Sequence, residues 1–516
     1  MRKHPQRKIS YLLIFFALDV IVCVFTAMFL LIYTPEPGNK SFDHDLDIDD
    51  QNIYNNQFLN KLNITESKWS QKIRFLLQES FLAYFSTCQN SDYLQPISRN
   101  CMNSSGLSLT TIESLEALYI SGLRDEYLVA SNFILNDFHF TSNSFQNFHE
   151  MGTKVLGGLI GIYGLTSNYK YIEKAIECAD LMLISFSNSI PYPLINGKKS
   201  KPIKYDFFNG NFLSESSGFI LEFTALSKIT GNNKYISFVE KYLSCVNSLI
   251  NNEKTFPSFL SVDKCSVIGD HRGFNGFTFS FIANVIRLHL YSPNKITLEL
   301  VDFIINYFSR FTSSSTSDQF LKNEDLKNSF DSSFCQLTHL LDNLKLNLHT
   351  INRQNANINR VRHIDNVNEI PANINNDDDH SDVNFDTTHY EIILEKFQKI
   401  LKSVCNSFSV FSESDSASKS FFSNKEMNFY YGSDPLVNYI FSGKELDQLR
   451  ILNIFDRTKC DSAQCALISQ NPILYDDIMP SESLGKWLKF LFLAYSSVDN
   501  DFVINEAGHL IPKIII

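Results

Sequence analysis

Two stretches 64 residues apart repeat one pattern. LTSNYKYIEKA at 165–175 is echoed by ITGNNKYISFVEKY at 229–242. In each, an apolar segment ends at a threonine (Thr166, Thr230), a short Asn-containing turn follows, and a new segment starts at Lys-Tyr-Ile. A repeat the length of one helical hairpin covers its apolar face only by stacking on the next. The chain is thereby restricted to an open solenoid or a closed toroid of hairpins. TTIESLEALYISGLRDEYLVASNFIL and SLGKWLKFLFLAYSS carry apolar residues at the same three- and four-residue spacing. Strand-like pieces such as FSVFSES are short, so the predicted class is all-α.

The N-terminus reads differently. Residues 11–33, YLLIFFALDVIVCVFTAMFLLIY, are apolar except for Asp19 and Thr26. That length spans a bilayer and exceeds an ordinary secretory signal core. Arg2, Lys3, Arg7 and Lys8 precede it, and Glu36, Asp43, Asp45, Asp47, Asp49 and Asp50 follow. The asymmetry predicts a cytoplasmic tail at 1–10, a signal anchor at 11–33 and a luminal remainder, beginning with a polar stem at 34–66. In that compartment Asn39, Asn63 and Asn103 are glycosylation acceptors by pattern. Nine of the ten cysteines face oxidising conditions, and their odd number leaves one thiol unpaired. Cys88 and Cys101 are close in sequence, as are Cys460 and Cys465, which by itself fixes no pairing.

The 516 residues carry a net charge of -11 and no basic field, so nucleic acid is not an expected partner. Residues 351–386 are rich in Asn and Asp and nearly free of aromatics. Such a segment buries too little apolar surface to order itself, and it is expected as a disordered insertion in a domain spanning 67–516.

Within that domain, GLSLTTIESLEALYISGLRDEY (106–127), HEMGTKVLGGLIGIY (149–163), IPYPLING (190–197) and LSESSGFILEFTALSKITGNNKY (213–235) follow in order. SLGKWLKFLFLAYSS (483–497) and INEAGHLIP (504–512) lie near the end. Together these resemble the motifs of class I α-1,2-mannosidases, glycoside hydrolase family 47. The resemblance implies an (α/α)7 barrel behind the transmembrane helix, with small residues in the glycine-bearing helix letting neighbours approach. It implies Glu150 as general acid, and Lys154 and Glu215 as glycan-binding residues. Cys335 and Cys405 fall where the family has a disulfide. It also implies high-mannose N-glycans of glycoproteins as partner, and a single-pass type II protein of the endoplasmic reticulum or Golgi membrane.

The resemblance fails at the chemistry. Inverting glycosidases need two carboxyls roughly 6.5–9.5 Å apart, one to protonate the leaving oxygen and one to activate water. Phe277 and Phe281 stand in GFNGFTFSFI where the family has its second acid and a later Glu, and Asn275 is the nearest polar side chain. In YGSDPLVNYI, Pro435 takes the place of the third acid, leaving Asp434 as the one defensible base. Calcium is the implied cofactor, with Asn505 at the ligand position of the family's Thr. Lys486 and Pro480 replace two of the acids that hold its waters. His149, where the family has Phe, reads as a packing change. Two functions follow: an α-1,2-mannosidase trimming high-mannose glycans, or a degenerate relative that binds glycans or glycoproteins without hydrolysis.

Overall fold

The computed structural model describes residues 68–312 apart from 206 and 207, a few helical positions between 337 and 345, residues 387–407, and, with breaks, 459–493 and 502–513. All fall in one compact unit, Asn55–Ile516. The tail, anchor, stem and Asn/Asp-rich insertion lie outside the described residues. Among the described residues, no helix is long and apolar enough to cross a membrane.

Helix α1 (Lys68–Cys88) leads into four helical hairpins: α2 (Leu109–Ile120) with α3 (Arg124–Asn132), α4 (Gly157–Thr166) with α5 (Lys170–Leu183), α6 (Ile220–Thr230) with α7 (Lys234–Glu253), and α8 (Phe279–Tyr291) with α9 (Lys295–Thr312). Each hairpin turns through three residues. The first helices pack in succession, α2 on α4, α4 on α6 and α6 on α8, and each packs on its own second helix. Every residue of α2 is buried, as are nearly all of α8. The second helices are one-sided: α5 buries Tyr171, Ile172, Ala175, Cys178, Ala179 and Met182, a three- and four-residue stripe. The result is a two-layered arc of hairpins, inner helices apolar all round and outer helices amphipathic. Burying each large apolar side chain contributes about 1.5–3 kcal/mol, which is where most of the arc's stability resides.

The echoed turns have the same chemistry in three dimensions. Thr166 Oγ1 donates to Ile162 O and accepts from Asn168 N–H, while Asn168 Oδ1 accepts from Lys170 N–H. Thr230, Asn232 and Lys234 repeat these three bonds. The C-terminal residue is left-handed in both, Ser167 at φ 57° and Gly231 at φ 68°. That conformation closes a helix and is easiest for glycine. The sequence repeat thus encodes a threonine-asparagine turn that redirects the chain between layers.

Inside the arc sits a C-terminal hairpin, Phe502–Ile504 paired with Leu510–Pro512. It packs on α4, α6 and α8. Here the glycines of α4 find their reason. A Cβ on Gly161 would lie 1.7 Å from Glu116 Oε1, and one on Gly157 would lie 2.2 Å from Asn505 Nδ2. The family resemblance implies close helix contacts; what these two glycines chiefly admit is polar side chains. A helix Gly costs roughly 1 kcal/mol against Ala, less than displacing a buried carboxylate.

Two disulfides are described, Cys88–Cys101 and Cys245–Cys265, and Cys178 is a buried free thiol. The first was among the close pairs in sequence; the second joins residues 20 apart and was not foreseen. Cys335, and the side chain of Cys405, lie outside the described residues.

Candidate active site

The chain enters the site through the strand Phe145–Asn147. Asn147 then caps the next helix, its Oδ1 accepting the Glu150 N–H at 3.1 Å. This places Glu150 in the first helical turn, where the helix dipole favours a carboxylate. Residues Met151–Leu156 continue as a π-helix, a wider turn that often marks functional positions and that here carries Lys154. A second π-helical segment, Ser483–Leu488, packs on α2 and carries Lys486.

Lys154 is the hub. Its Nζ lies 2.6 Å from Glu482 Oε1, 3.5 Å from Glu150 Oε1 and 3.7 Å from Glu113 Oε1. Burial alone would lower its pKa, but the carboxylates Glu482, Glu113 and Glu150 outweigh that and hold it well above the usual lysine range. Burial pushes Glu482 upward, but Lys154, a backbone hydrogen bond and the Lys486 charge together outweigh it and hold the carboxyl below its ordinary range. Glu113 goes the other way. Burial pushes it up to about 8, against the lowering effect of Lys154 and the nearby Ser481 hydroxyl. Neither of its oxygens has a partner with hydrogen-bond geometry. Burial thus favours the protonated form of Glu113, while Lys154 favours the charged form of Glu482. Since Glu150 Oε1 and Glu482 Oε1 face the same ammonium, they lie within roughly 6 Å of each other. The Lys154 ammonium occupies the ground between them, where an inverting pair would hold its water.

Glu215 stands in the adjacent short helix Leu213–Ser216. The Tyr205 hydroxyl donates to its Oε2 at 2.5 Å, and burial raises its pKa. His149 joins it from the other side: Nδ1 is 3.3 Å from Glu215 O, and Nε2 is 3.4 Å from Glu506 Oε1. Burial would lower the His149 pKa, but Glu506 overrides this and brings it up to about 9. Both ring nitrogens then donate. The His149 ring fills space against Gly218 and also lies 3.4 Å from the Glu506 carboxylate, a contact not expected from the sequence. Glu506 also accepts from Ser280 Oγ at 2.5 Å and Asn284 Nδ2 at 3.0 Å.

The implied calcium site can be tested on its donors. Asn505 Oδ1 accepts from His509 N–H at 2.8 Å, which turns the amide nitrogen toward Thr153 O at 2.7 Å and Glu222 Oε1 at 2.9 Å. Lys486 Nζ donates to Glu506 O at 3.2 Å. Calcium takes six to eight oxygen ligands. Here the oxygens around Asn505 already accept N–H groups, one of them an ammonium. As arranged, this donor set, expected to include Asn505 as a calcium ligand, does not fit the metal.

Phe277, at the place implied for the second acid, is 41% exposed and stacked on Phe212 with centroids 5.0 Å apart. Phe281 is fully buried. Asn275 is buried and holds the loop, accepting Phe277 N–H at 2.9 Å. Asp434 lies outside the described residues, as do Asn39 and Asn63; Asn103 is exposed after a short strand. Sequence reasoning missed Glu113, Glu482 and Glu506. The signal for Glu113 was available, since a carboxylate inside a helix buried all round is either paired or neutral.

The family model for glycosyl hydrolase family 47 matches residues 76–340. A mannosyl-oligosaccharide 1,2-alpha-mannosidase of Arabidopsis thaliana is 27% identical over 223 residues, 42% of this chain and 40% of the relative. The human endoplasmic reticulum mannosyl-oligosaccharide 1,2-alpha-mannosidase is 29% identical over 160 residues, 31% of this chain and 23% of the relative. These matches span 40% or less of either relative's length. The alpha-1,2-mannosidase from Trichoderma reesei superposes with a TM-score of 0.60 at 17% identity, covering 86% of this chain and 99% of that one, a likeness of fold.

Proposed function

The chain belongs to glycosyl hydrolase family 47, and from that premise we propose that it recognises high-mannose N-glycans on glycoproteins in the secretory pathway and releases mannose very slowly or not at all. The described arc is read as part of an (α/α)7 ring whose glycan-binding end carries Glu150, Lys154 and Glu215. Residues 11–33 anchor it as a type II protein of the endoplasmic reticulum or Golgi membrane, with the ring in the lumen. Asn39, Asn63 and Asn103 carry glycans of their own, and Cys335 pairs with Cys405 across the insertion.

The Lys154 hub carries this reading. Glu150 retains the position of a proton donor to a glycosidic oxygen. Inversion also needs a carboxylate across the scissile bond with a water between. The two acids that share Lys154 with Glu150 are instead drawn to its ammonium, Glu482 at 2.6 Å and the buried Glu113 at 3.7 Å. Such a site accepts and donates hydrogen bonds to sugar hydroxyls without generating a nucleophile. The reading needs no calcium, because the oxygens around Asn505 are already taken.

A trimming α-1,2-mannosidase with Asp434 as base is the second reading, supported by the retained Glu150. One assay separates them. Full-length protein is incubated with a free high-mannose oligosaccharide, and bound glycan and released mannose are both measured. The expected result is binding with release at least about 10²-fold below a family mannosidase run alongside, the usual cost of removing a base. Ordinary turnover, abolished by Glu150→Gln, would overturn the proposal in favour of trimming.

A further inference from the structure

Beside the acid cluster lies a surface made of six rings. Tyr205 stacks on Phe208 at 5.9 Å and 16°, and Phe212 stacks on Phe277 at 5.0 Å and 20°. Phe259 contacts Phe208, Phe212 and Phe277 within 5.4–5.8 Å, and His271 stands edge-on to Phe277 at 5.7 Å. The rings sit on a built scaffold. Strands Gly210–Phe212 and Phe259–Ser261 pair with Phe212 directly opposite Phe259. Tyr205 and Phe208 form a bridge of their own.

Phe277 and His271 are exposed, and the other four rings are half-buried. Contiguous exposed apolar surface with a polar rim marks a binding surface rather than a random scatter of hydrophobics. The rim is specific. On one side the Tyr205 hydroxyl is bound to Glu215, within reach of the charge of Glu150. On the other, Asn209 follows Phe208 in the chain and donates to Asp263 at 2.8 Å, as Lys204 does at 2.9 Å. Flat apolar faces edged by a few placed hydrogen-bonding groups are the composition of a small-ligand site. A pyranose matches it: its C–H face is apolar and its hydroxyls project at the edge. The carboxylates on the rim favour a neutral sugar over an anionic one.

We propose that this ring surface is a stacking platform for a neutral hexopyranose of the glycan, with Phe277 against the apolar face of the sugar and Glu215 and Glu150 accepting its hydroxyls. The inference rests on the glycan-binding reading above and deepens it: the place implied for a catalytic carboxylate has become a contact surface.

The test uses the full-length protein in detergent, with a free high-mannose oligosaccharide as probe and calorimetric affinity as readout. A reduced, alkylated, glycan-free polypeptide is the second probe. Phe277→Ala is expected to weaken the glycan about tenfold or more, and Phe277→Trp, which keeps a ring, to hold it within about threefold. Both should still fold cooperatively, since Phe277 is 41% exposed and lies at the rim of the ring cluster, and melting curves check this. Glycan binding unchanged in Phe277→Ala would overturn the platform and leave the glycan reading standing. No glycan binding by the wild type would remove that reading and the platform with it. Binding of the glycan-free polypeptide that Phe277→Ala abolishes, with glycan affinity untouched, would also overturn the proposal and assign the surface to apolar polypeptide.

Discussion

Glu113 and Glu116 lie one turn apart on α2, yet they belong to different worlds. Glu116 meets Lys489, whose ammonium donates to it and to Gly508 O at 2.8 Å, and it accepts Leu510 N–H at 3.2 Å. His509 Nδ1 lies 3.4 Å away, and all three side chains are fully buried. Glu113 meets Lys154, whose other partners Glu150 and Glu482 are 29% and 26% exposed. The first cluster is closed: burial would raise the pKa of Glu116, but Lys489 holds it below its ordinary value. The second opens to solvent and leaves one carboxyl unsatisfied. Identical residue types thus make a structural pin in one place and, in the other, the site proposed to bind glycan. What separates them is access to solvent: the Glu116 cluster is sealed, even though the His509 ring nitrogens have no hydrogen-bond partner there, whereas the Lys154 hub opens to water through Glu150 and Glu482.

The comparison is most easily broken at the lysines. Lys489→Met strands a buried carboxylate, and breaking such a pair costs about 3–5 kcal/mol. Lys154→Met leaves carboxylates that reach water and should cost less than half as much. Urea unfolding of the two variants measures the difference. Equal losses would mean that the hub is structural after all and that its openness to solvent says nothing about function.

A smaller effect comes from pH. Glu113 has a folded-state pKa near 8, above its ordinary 4.5, so the folded state binds the extra proton. Its contribution is fully present below about 4.5 and is lost as pH rises through 8. His149, brought up to about 9 from 6.5, acts in the same direction between those values. Unfolding free energy should therefore fall from pH 6 to pH 9. Glu113→Gln keeps the shape and removes the first component, so its curve should be flatter than the wild type's between pH 5 and 8. A curve of unchanged slope would place Glu113 as ionised and paired in the folded protein.

The arc itself was legible because it is written in local patterns. The threonine-asparagine turn returned at Thr230 with the same three hydrogen bonds it makes at Thr166. Glu150 was singled out in the sequence because it stands in HEMGTKVLGGLIGIY, the segment that resembles the family motif. The hub was not. Glu482 is 328 residues from Lys154, and only packing of the 483–493 segment on α2 brings them together. The Glu506 contact of His149 was not legible for a related reason. Its partner Glu506 arrives on the C-terminal hairpin, so no local pattern announces that a histidine in an apolar neighbourhood is charged.

The smallest expected effect concerns the polar group around Asn505, which sits between the two clusters and resembles the closed one. Its acceptors are occupied by His509 N–H, the Asn505 amide and the Lys486 ammonium, and Asn505 is 2% exposed. A site whose cation is covalently part of the chain gains nothing from a metal in solution. Chelation should shift the melting temperature by less than about 2 °C, since 1 kcal/mol moves a large domain by roughly 2–4 °C. Adding calcium should shift it no more. Lys486→Glu removes the ammonium and supplies an oxygen ligand, and in that variant calcium should raise the melting temperature measurably, by mass action on the folded state. A wild-type protein that melts several degrees lower in chelator would show that the oxygens around Asn505 rearrange to take the metal, and would move this group from the closed class to the open one.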